Sequence, residues 1–92
     1  MRVRVTFVGP LGDYVGERTV PFDLPPGSSY GALLEEIGSR FGGNFPPRIW
    51  DERATDFKAG ILVIGAGRDL DSRSIPLLEG EEIKVLPLLA GG

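Results

Sequence analysis

Cysteine and histidine are both absent from the 92 residues of this sequence. Without cysteine there can be no disulfide and no thiolate nucleophile, and without either residue the usual zinc ligands are missing. Acid–base catalysis would have to use carboxylates, lysine or tyrosine, because histidine is the residue most often used as a general base. The composition therefore equips the chain poorly for enzymatic work on its own.

The sequence also lacks long apolar runs and a strong net charge. No apolar stretch approaches the ~20 residues that span a bilayer. The net charge of −3 argues against a broad electrostatic attraction to nucleic acid or anionic membranes. The first residues, MRVRVTFVG, contain no signal-peptide core. We therefore expect a cytoplasmic protein that binds neither nucleic acid nor membrane.

The spacing of apolar residues predicts one domain with several strands. Alternation of apolar and polar residues is typical of half-buried strands, whereas the run GILVIG predicts a buried one. Pro21 falls within the second alternating segment and cannot donate to a ladder, which predicts an edge strand. The expected strands cover residues 2–8, 18–24, 60–65, a short stretch near 70–73, and 83–88.

One helix is predicted between the second and third strands. Apolar residues from Tyr30 to Phe41 recur at the 3.6-residue spacing of a single helical face. Ser28 or Ser29 is expected to cap its start, and Gly42–Gly43 to end it with a left-handed cap. One helix among several strands must cover one face of the sheet, which gives a two-layer α+β domain.

Residues 44–59 have no clear periodicity. Phe45, Ile49, Trp50 and Phe57 indicate a segment that covers one end of the core. The alternative is a binding excursion, because loops of this length often carry function.

Two motifs resemble chemical sites but lack the residues that such sites need. The GAG at 65–67 resembles a dinucleotide-binding loop, yet Leu70 stands where the third glycine belongs and no helix is predicted to follow. Ser28 and Ser29 have no base to activate them. We interpret the glycines as a hairpin turn and the serines as caps.

The charged residues predict a solvated surface. Neighbouring residues point apart on a helix or strand, so adjacent carboxylates make poor acid–base partners. The three adjacent pairs are Glu35–Glu36, Asp51–Glu52 and Glu81–Glu82. A small basic cluster on the outer face of the sheet would either meet an acidic partner or simply be solvated; its members are Arg2, Arg4 and Lys84.

The last ten residues, IKVLPLLAGG, predict a strand followed by a slender arm. Ile83 and Val85 should face the core and leave Leu86 and Leu88 outside as an apolar docking patch. Pro87 is expected to end the ladder. The five residues after it extend at most ~3.3–3.6 Å each, so they would carry the terminal carboxylate roughly 15–18 Å from the body.

Glycine has no Cβ, so a terminus of two glycines can pass down a channel too narrow for other residues. We therefore expect a carboxylate that is presented to the active site of another protein. The alternative is an ordinary loose terminus without function.

The predicted order of elements, the stretches LPPGSSYGALLEEI and LLEGEEIKVLP, and the terminal AGG resemble the MoaD/ThiS sulfur carriers. These are ubiquitin-like β-grasp proteins. The resemblance implies a mixed sheet of four to five strands packed on one main helix. It also implies a single domain over 1–92 with a flexible C-terminal tail at about 88–92.

In that family a partner adenylyltransferase of the MoeB/ThiF type uses ATP and Mg²⁺ to adenylate the C-terminal glycine, and sulfur then displaces AMP to leave a thiocarboxylate. By resemblance, Gly92 is the reacting residue and the chain holds no metal or cofactor of its own. The residues implied to contact the partner are Gly91, Ala90, Leu89, Leu88 and Leu86.

Pro87 resembles the MoaD branch, the small subunit of molybdopterin synthase, and also the related carrier that feeds cysteine synthesis. The resemblance to MoaD implies that the large subunit of molybdopterin synthase accepts the sulfur. Carriers for thiamin, cysteine or tRNA thiolation remain alternatives. A ubiquitin-like protein modifier is a further alternative, although LPLLAGG lacks the arginines of the ubiquitin tail.

Overall fold

The computed structural model describes residues 1–88 and has seven strands, two α-helices and one 3₁₀ turn. No helix within this range is long and apolar enough to cross a membrane. In chain order the elements are β1 (Arg2–Phe7), α1 (Pro10–Val15), β2 (Thr19–Asp23), α2 (Tyr30–Phe41), the 3₁₀ turn (Gly42–Asn44), β3 (Trp50–Asp51), β4 (Asp56–Phe57), β5 (Ile61–Gly65), β6 (Arg68–Asp69) and β7 (Glu82–Pro87).

Five of the strands form one mixed sheet in the order β2-β1-β7-β5-β6. The two central strands, β1 and β7, are parallel, and the other neighbours are antiparallel. The 12-residue helix α2 packs on one face of this sheet. The arrangement is that of a β-grasp fold, so the predicted α+β architecture with one main helix is confirmed.

The core lies between α2 and the inner face of the sheet. It is built by the alternating residues that the sequence predicted, because every second side chain of a strand points to the same face. The fully buried members from the two central strands are Val3, Val5, Phe7, Ile83 and Val85, and those from α2 are Leu33, Leu34 and Ile37.

Strand β2 is an edge strand, as Pro21 predicted. Pro21 has no N–H, and on an edge strand no further strand needs that donor. Arg40 of α2 donates from Nη1 to the Pro21 carbonyl at 3.3 Å. The Arg40 side chain therefore covers part of the free edge of β2.

The predicted serine cap of α2 is wrong. Ser29 occupies the N-cap position but its side chain makes no capping hydrogen bond, and the Ser28 hydroxyl donates to the Pro25 carbonyl instead. The first two amides of α2 donate to backbone carbonyls at positions 73 and 75, each at 2.8 Å. A distant segment satisfies the helix start, which no local motif could reveal.

The predicted left-handed cap at the end of α2 is also wrong. Gly42 is right-handed, with φ −53° and ψ −40°, and begins the 3₁₀ turn. Neither it nor Gly43 has a positive φ. Instead, a Cβ added to Gly38 or Gly42 would lie only 2.9 or 3.0 Å from the Trp50 ring. These two helix glycines provide the space that the indole occupies.

Residues 44–59 cover one end of the core, as expected. Strands β3 and β4 pair as a small hairpin, and the Trp50 and Phe57 rings meet edge to face at 5.0 Å. Phe45 and Trp50 are buried. The aromatic side chains of this excursion are thus used for packing.

The connection after β1 contains the short helix α1. Pro10 stands in its first turn, where a missing N–H costs nothing, and Gly16 ends it with a φ of 86°. Leu11 and Val15 are buried on its inner side. The proline and the glycine were the available signals for this helix.

The short strand expected at 70–73 lies earlier, as β6 at Arg68–Asp69. Leu70 is buried, and its amide donates to the Val63 carbonyl at 2.9 Å. The hairpin turn between β5 and β6 is therefore tighter than predicted.

Candidate docking surface at the last strand

Strand β7 brings the end of the described chain to the middle of the sheet. It lies between β1 and β5, and Leu88 follows directly after its last residue, Pro87. Four further residues complete the sequence: Leu89, Ala90, Gly91 and Gly92. These predicted site residues lie outside the described residues, so their roles remain predictions.

Strand β7 and its pairing with β5 end at Pro87, as expected, but one more backbone hydrogen bond follows. Pro87 still pairs with Ile61, and the Leu88 amide donates to the Gly60 carbonyl at 2.7 Å. A proline removes only its own N–H, so the next amide is free to bond. The body of the protein therefore holds the chain as far as Leu88.

An apolar patch lies on the outer face of the sheet beside this exit. Leu62 of β5 stands directly opposite Leu86 of β7, and both are half-buried. Ile64 lies two residues further along the same face of β5, and Leu88 is 59% exposed. We call these four residues, Leu62, Ile64, Leu86 and Leu88, the outer apolar patch.

Sequence reasoning placed Leu86 and Leu88 outside correctly but missed the contribution of β5. The run GILVIG predicted a buried strand, whereas only Val63 and Gly65 are buried. Apolar residues on both faces hide the alternation that would have identified an exposed face. The patch is therefore larger than the sequence indicated.

The other half of the outer face is polar, and most of its charges are paired. Arg2 bonds Asp23 at 2.8 Å, and Arg4 meets Glu82 at 3.3 Å. The hydrogen bond from Arg2 lowers the pKa of Asp23. The predicted basic cluster is thus two ion pairs plus Lys84, which makes no ion pair among residues 1–88 and borders the outer apolar patch.

Glu81 is buried, so the prediction that the Glu81–Glu82 pair is solvated is wrong for its first member. Its carboxylate accepts hydrogen bonds from Nη2 of Arg68 at 2.7 Å and from the Ala66 and Leu78 amides, each at 2.9 Å. Burial by itself raises the pKa of Glu81, but the bonds from Arg68 and the two amides outweigh it and leave the pKa lowered. Glu81 remains ionised inside the protein.

The same carboxylate explains the first glycine of the GAG motif. A Cβ on Gly65 would collide with Oε2 of Glu81. Gly67 has a φ of 69°, which other residues rarely adopt. The motif is a hairpin turn, as predicted. It packs around the buried carboxylate of Glu81, the residue directly before β7.

Tyr30 is the buried tyrosine of the core, and it is poorly suited to act as a base. Burial, with a smaller contribution from the charge of Asp56, raises its pKa above the ordinary value of 10.0. The described part of the chain also contains no cluster of three or more potential metal-ligating side chains. The surface that the geometry singles out is therefore apolar, at the point where the chain leaves the sheet.

No protein-family model matches this sequence, and no curated protein sequence matches it significantly. Solved structures do match the fold. SAMP1 from Haloferax volcanii, a small archaeal modifier protein, superposes with a TM-score of 0.81 at 18% identity over 100% of both chains. The "Putative molybdopterin converting factor, subunit 1" from Pyrococcus furiosus superposes with a TM-score of 0.73 at 24% sequence identity. The match covers 97% of this chain and 99% of that chain.

The Amycolatopsis orientalis BexX/CysO complex gives a TM-score of 0.70 at 22% identity, covering 98% of this chain and 99% of the other. At these identities the likeness shows the fold alone. It confirms the predicted β-grasp, ubiquitin-like architecture over essentially the whole chain.

Proposed function

We propose that this protein is a ubiquitin-like sulfur carrier that acts through the carboxylate of Gly92. The observation that carries the proposal is the outer apolar patch beside Leu88, at the centre of the sheet, with four residues ending in Gly91 and Gly92 still to follow. A patch at that place suits docking onto a partner that must receive the terminus. The molybdopterin converting factor subunit and CysO among the similar structures support the same direction.

The proposed chemistry needs two steps because a carboxylate is a poor electrophile. An oxygen of the Gly92 carboxylate attacks the α-phosphorus of ATP, and pyrophosphate leaves. Hydrosulfide then attacks the acyl carbon of the adenylate, AMP leaves with the carboxylate oxygen, and loss of the proton from sulfur leaves a thiocarboxylate. ATP and Mg²⁺ would bind to the partner, an adenylyltransferase of the MoeB/ThiF type, and this chain would supply the substrate carboxylate.

The position of Leu88 limits how far that carboxylate can travel. Leu88 makes the last backbone hydrogen bond of the described residues, and four residues follow it in the sequence. At ~3.3–3.6 Å each they reach roughly 13–14 Å. The partner's reaction centre must therefore lie within about that distance of the outer apolar patch.

For the acceptor we propose a molybdopterin synthase-type large subunit, with this chain as the small subunit. The Pyrococcus furiosus converting factor subunit and the proline at position 87 support this choice. Carriers for cysteine, thiamin or tRNA thiolation would use the same terminus and the same first step. CysO, found in the complex with BexX, supports an alternative acceptor of this kind.

A protein modifier is the second candidate function, and the fold of SAMP1 from Haloferax volcanii favours it. It would share the adenylation and differ in the nucleophile, which would be a lysine amine of another protein. Isopeptide-linked Gly-Gly remnants on cellular proteins would support the modifier. Their absence, together with thiocarboxylate formation, would support the carrier.

The test of the proposed function is an intact-mass measurement. The mass of the mature protein first establishes that its terminus is Gly92. Incubation with the cognate adenylyltransferase, ATP, Mg²⁺ and a sulfur source should then replace one terminal oxygen by sulfur. A variant that lacks Gly91 and Gly92 should show no such shift. If the complete chain shows no shift and the truncated variant retains its cellular activity, the proposal fails.

A further inference from the structure

We propose that Gly60 is a positioning residue that sets the point from which the reactive terminus leaves the protein. Its carbonyl accepts the hydrogen bond of the Leu88 amide at 2.7 Å, the last backbone bond of the described chain. The inference rests on the proposed function, because positioning matters only if the residues after Leu88 enter a partner's active site.

The bond is the backbone hydrogen bond that the described structure gives Leu88. The residue is 59% exposed, so packing holds it less than it holds the buried residues of β7. The pairing of Ile61 with Pro87 brings Gly60 opposite Leu88, and the bond extends the β5–β7 ladder by one step. Without this bond the last backbone restraint among residues 1–88 would be the pairing of Ile61 with Pro87, one residue earlier.

Glycine at this position is required by the backbone. The Ile61 amide donates to the Lys58 carbonyl at 3.2 Å and closes a tight turn, in which Gly60 adopts a φ of 97°. Residues with a Cβ rarely adopt that conformation. A Cβ built on Gly60 has no other atom within 4 Å, so an alanine would strain the turn without colliding with a neighbour. Relief of this strain would change the backbone dihedrals of residue 60, which orient both the Ala59–Gly60 peptide and the Gly60–Ile61 peptide whose carbonyl binds Leu88.

The expected consequence separates docking from chemistry. A substitution at Gly60 leaves Leu62 and Leu86 untouched. Docking through the outer apolar patch, and with it KM for the partner, should therefore stay unchanged. The rate of adenylation depends on where the carboxylate stands, and a displacement of about 1 Å in a reacting group can lower a rate by about 100-fold. Loosening the exit should therefore lower kcat and not raise KM.

The test compares Gly60→Ala with Gly27→Ala. Gly27 lies in an equivalent turn, closed by the Ser28 amide on the Pro25 carbonyl at 3.2 Å, with a φ of 82° and no atom within 4 Å of an added Cβ. It follows β2, at the opposite end of the sheet from Leu88. The two substitutions impose the same kind of backbone strain at places that differ in their relation to the terminus.

Two readouts are measured on both full-length variants. Hydrogen exchange of the Leu88 amide, followed by NMR in the free protein, should accelerate about 10-fold in Gly60→Ala and stay unchanged in Gly27→Ala. The kcat for adenylation by the cognate enzyme should fall by about 10- to 100-fold in Gly60→Ala alone, with KM unchanged in both.

A second pair of variants removes the donor without touching Gly60. Leu88→Pro has no N–H to donate, whereas Leu88→Ala keeps the N–H and loses the same side chain. The proposal predicts a lower kcat in Leu88→Pro than in Leu88→Ala.

Equal kcat values in the Leu88 pair, or equal effects of Gly60→Ala and Gly27→Ala, would overturn the positioning role while leaving the carrier function intact. A wild-type protein that its cognate enzyme does not adenylate would instead overturn the proposed function, and the positioning role with it. The two failures are therefore distinguishable.

Discussion

Replacing Glu81 by alanine should destabilise the protein far more than the same change at its neighbour, Glu82. The two glutamates are adjacent in sequence, yet the Glu81 side chain is fully buried and that of Glu82 is 73% exposed. Each carboxylate is paired with one arginine, Arg68 or Arg4. The pair thus compares a buried ion directly before β7 with a surface ion on its first residue.

The magnitude follows from what each substitution leaves behind. Removing one partner of a buried ion pair costs about 3–5 kcal/mol. The Arg68 side chain remains 29% exposed, so water can reach its guanidinium and we expect the lower end, ~3 kcal/mol. The Ala66 and Leu78 amides also lose their acceptor. An exposed pair such as Arg4–Glu82 contributes about 0–1 kcal/mol.

The assay is equilibrium unfolding in urea at 25 °C, analysed for the free energy of unfolding, with thermal unfolding as a second measure. A loss of ~3 kcal/mol should lower Tm by roughly 12–24 °C, since each kcal/mol shifts Tm by about 4–8 °C in a domain of this size. Glu82→Ala should shift Tm by less than about 8 °C. If the two variants lie within about 1 kcal/mol of each other, the buried carboxylate does not stabilise β7 and the reasoning is refuted.

Three further outcomes are expected from other parts of the molecule. Because the folded-state pKa of Glu81 is lowered, its stabilisation is complete above its ordinary pKa of 4.5 and is lost as the pH falls through the folded value. Wild type should therefore lose more stability than Glu81→Gln in urea unfolding between pH 6 and 3; equal losses would contradict this. Leu86→Asp should raise KM for adenylation about 10-fold or more, whereas Thr19→Asp on the polar half of the outer face should not, and equal KM values would remove the patch from docking. Gly38→Ala should destabilise by about 1–3 kcal/mol because its Cβ would press on Trp50, although the same change usually stabilises a helix; increased stability in urea would show that the indole moves aside.

The sequence was sufficient wherever a structural rule is local. Alternation identified the buried faces of β1 and β2, and Pro21 identified the edge of the sheet, because both follow from the geometry of a single strand. It was also sufficient to place Leu86 and Leu88 outside the core. These features required no knowledge of which segments meet in space.

It failed where distant segments meet. The carbonyls of Arg73 and Ile75 accept the first amides of α2. Gly38 and Gly42 leave space for the Trp50 ring, and Glu81 is buried by the turn that follows β5. Single-sequence rules treat a serine before a helix as a cap and a glutamate in a turn as solvated, since these are the commonest outcomes. Contacts between segments that are distant in sequence decide where these rules fail.

The two ends of β7 are held by restraints of different strength, and this has a consequence for how the terminus works. Before the strand, the charged carboxylate of Glu81 accepts hydrogen bonds from Arg68 and from two backbone amides, whereas after it one backbone bond to Gly60 holds Leu88. Opening should therefore begin at the end of the strand, where it breaks one bond and exposes little apolar surface. Further opening would separate Leu86 from Leu62 and divide the outer apolar patch. A partner that binds the patch thus stabilises the Leu62–Leu86 pair, whereas the position of Leu88 still depends on its own bond to Gly60, so docking and positioning of the carboxylate can be altered separately.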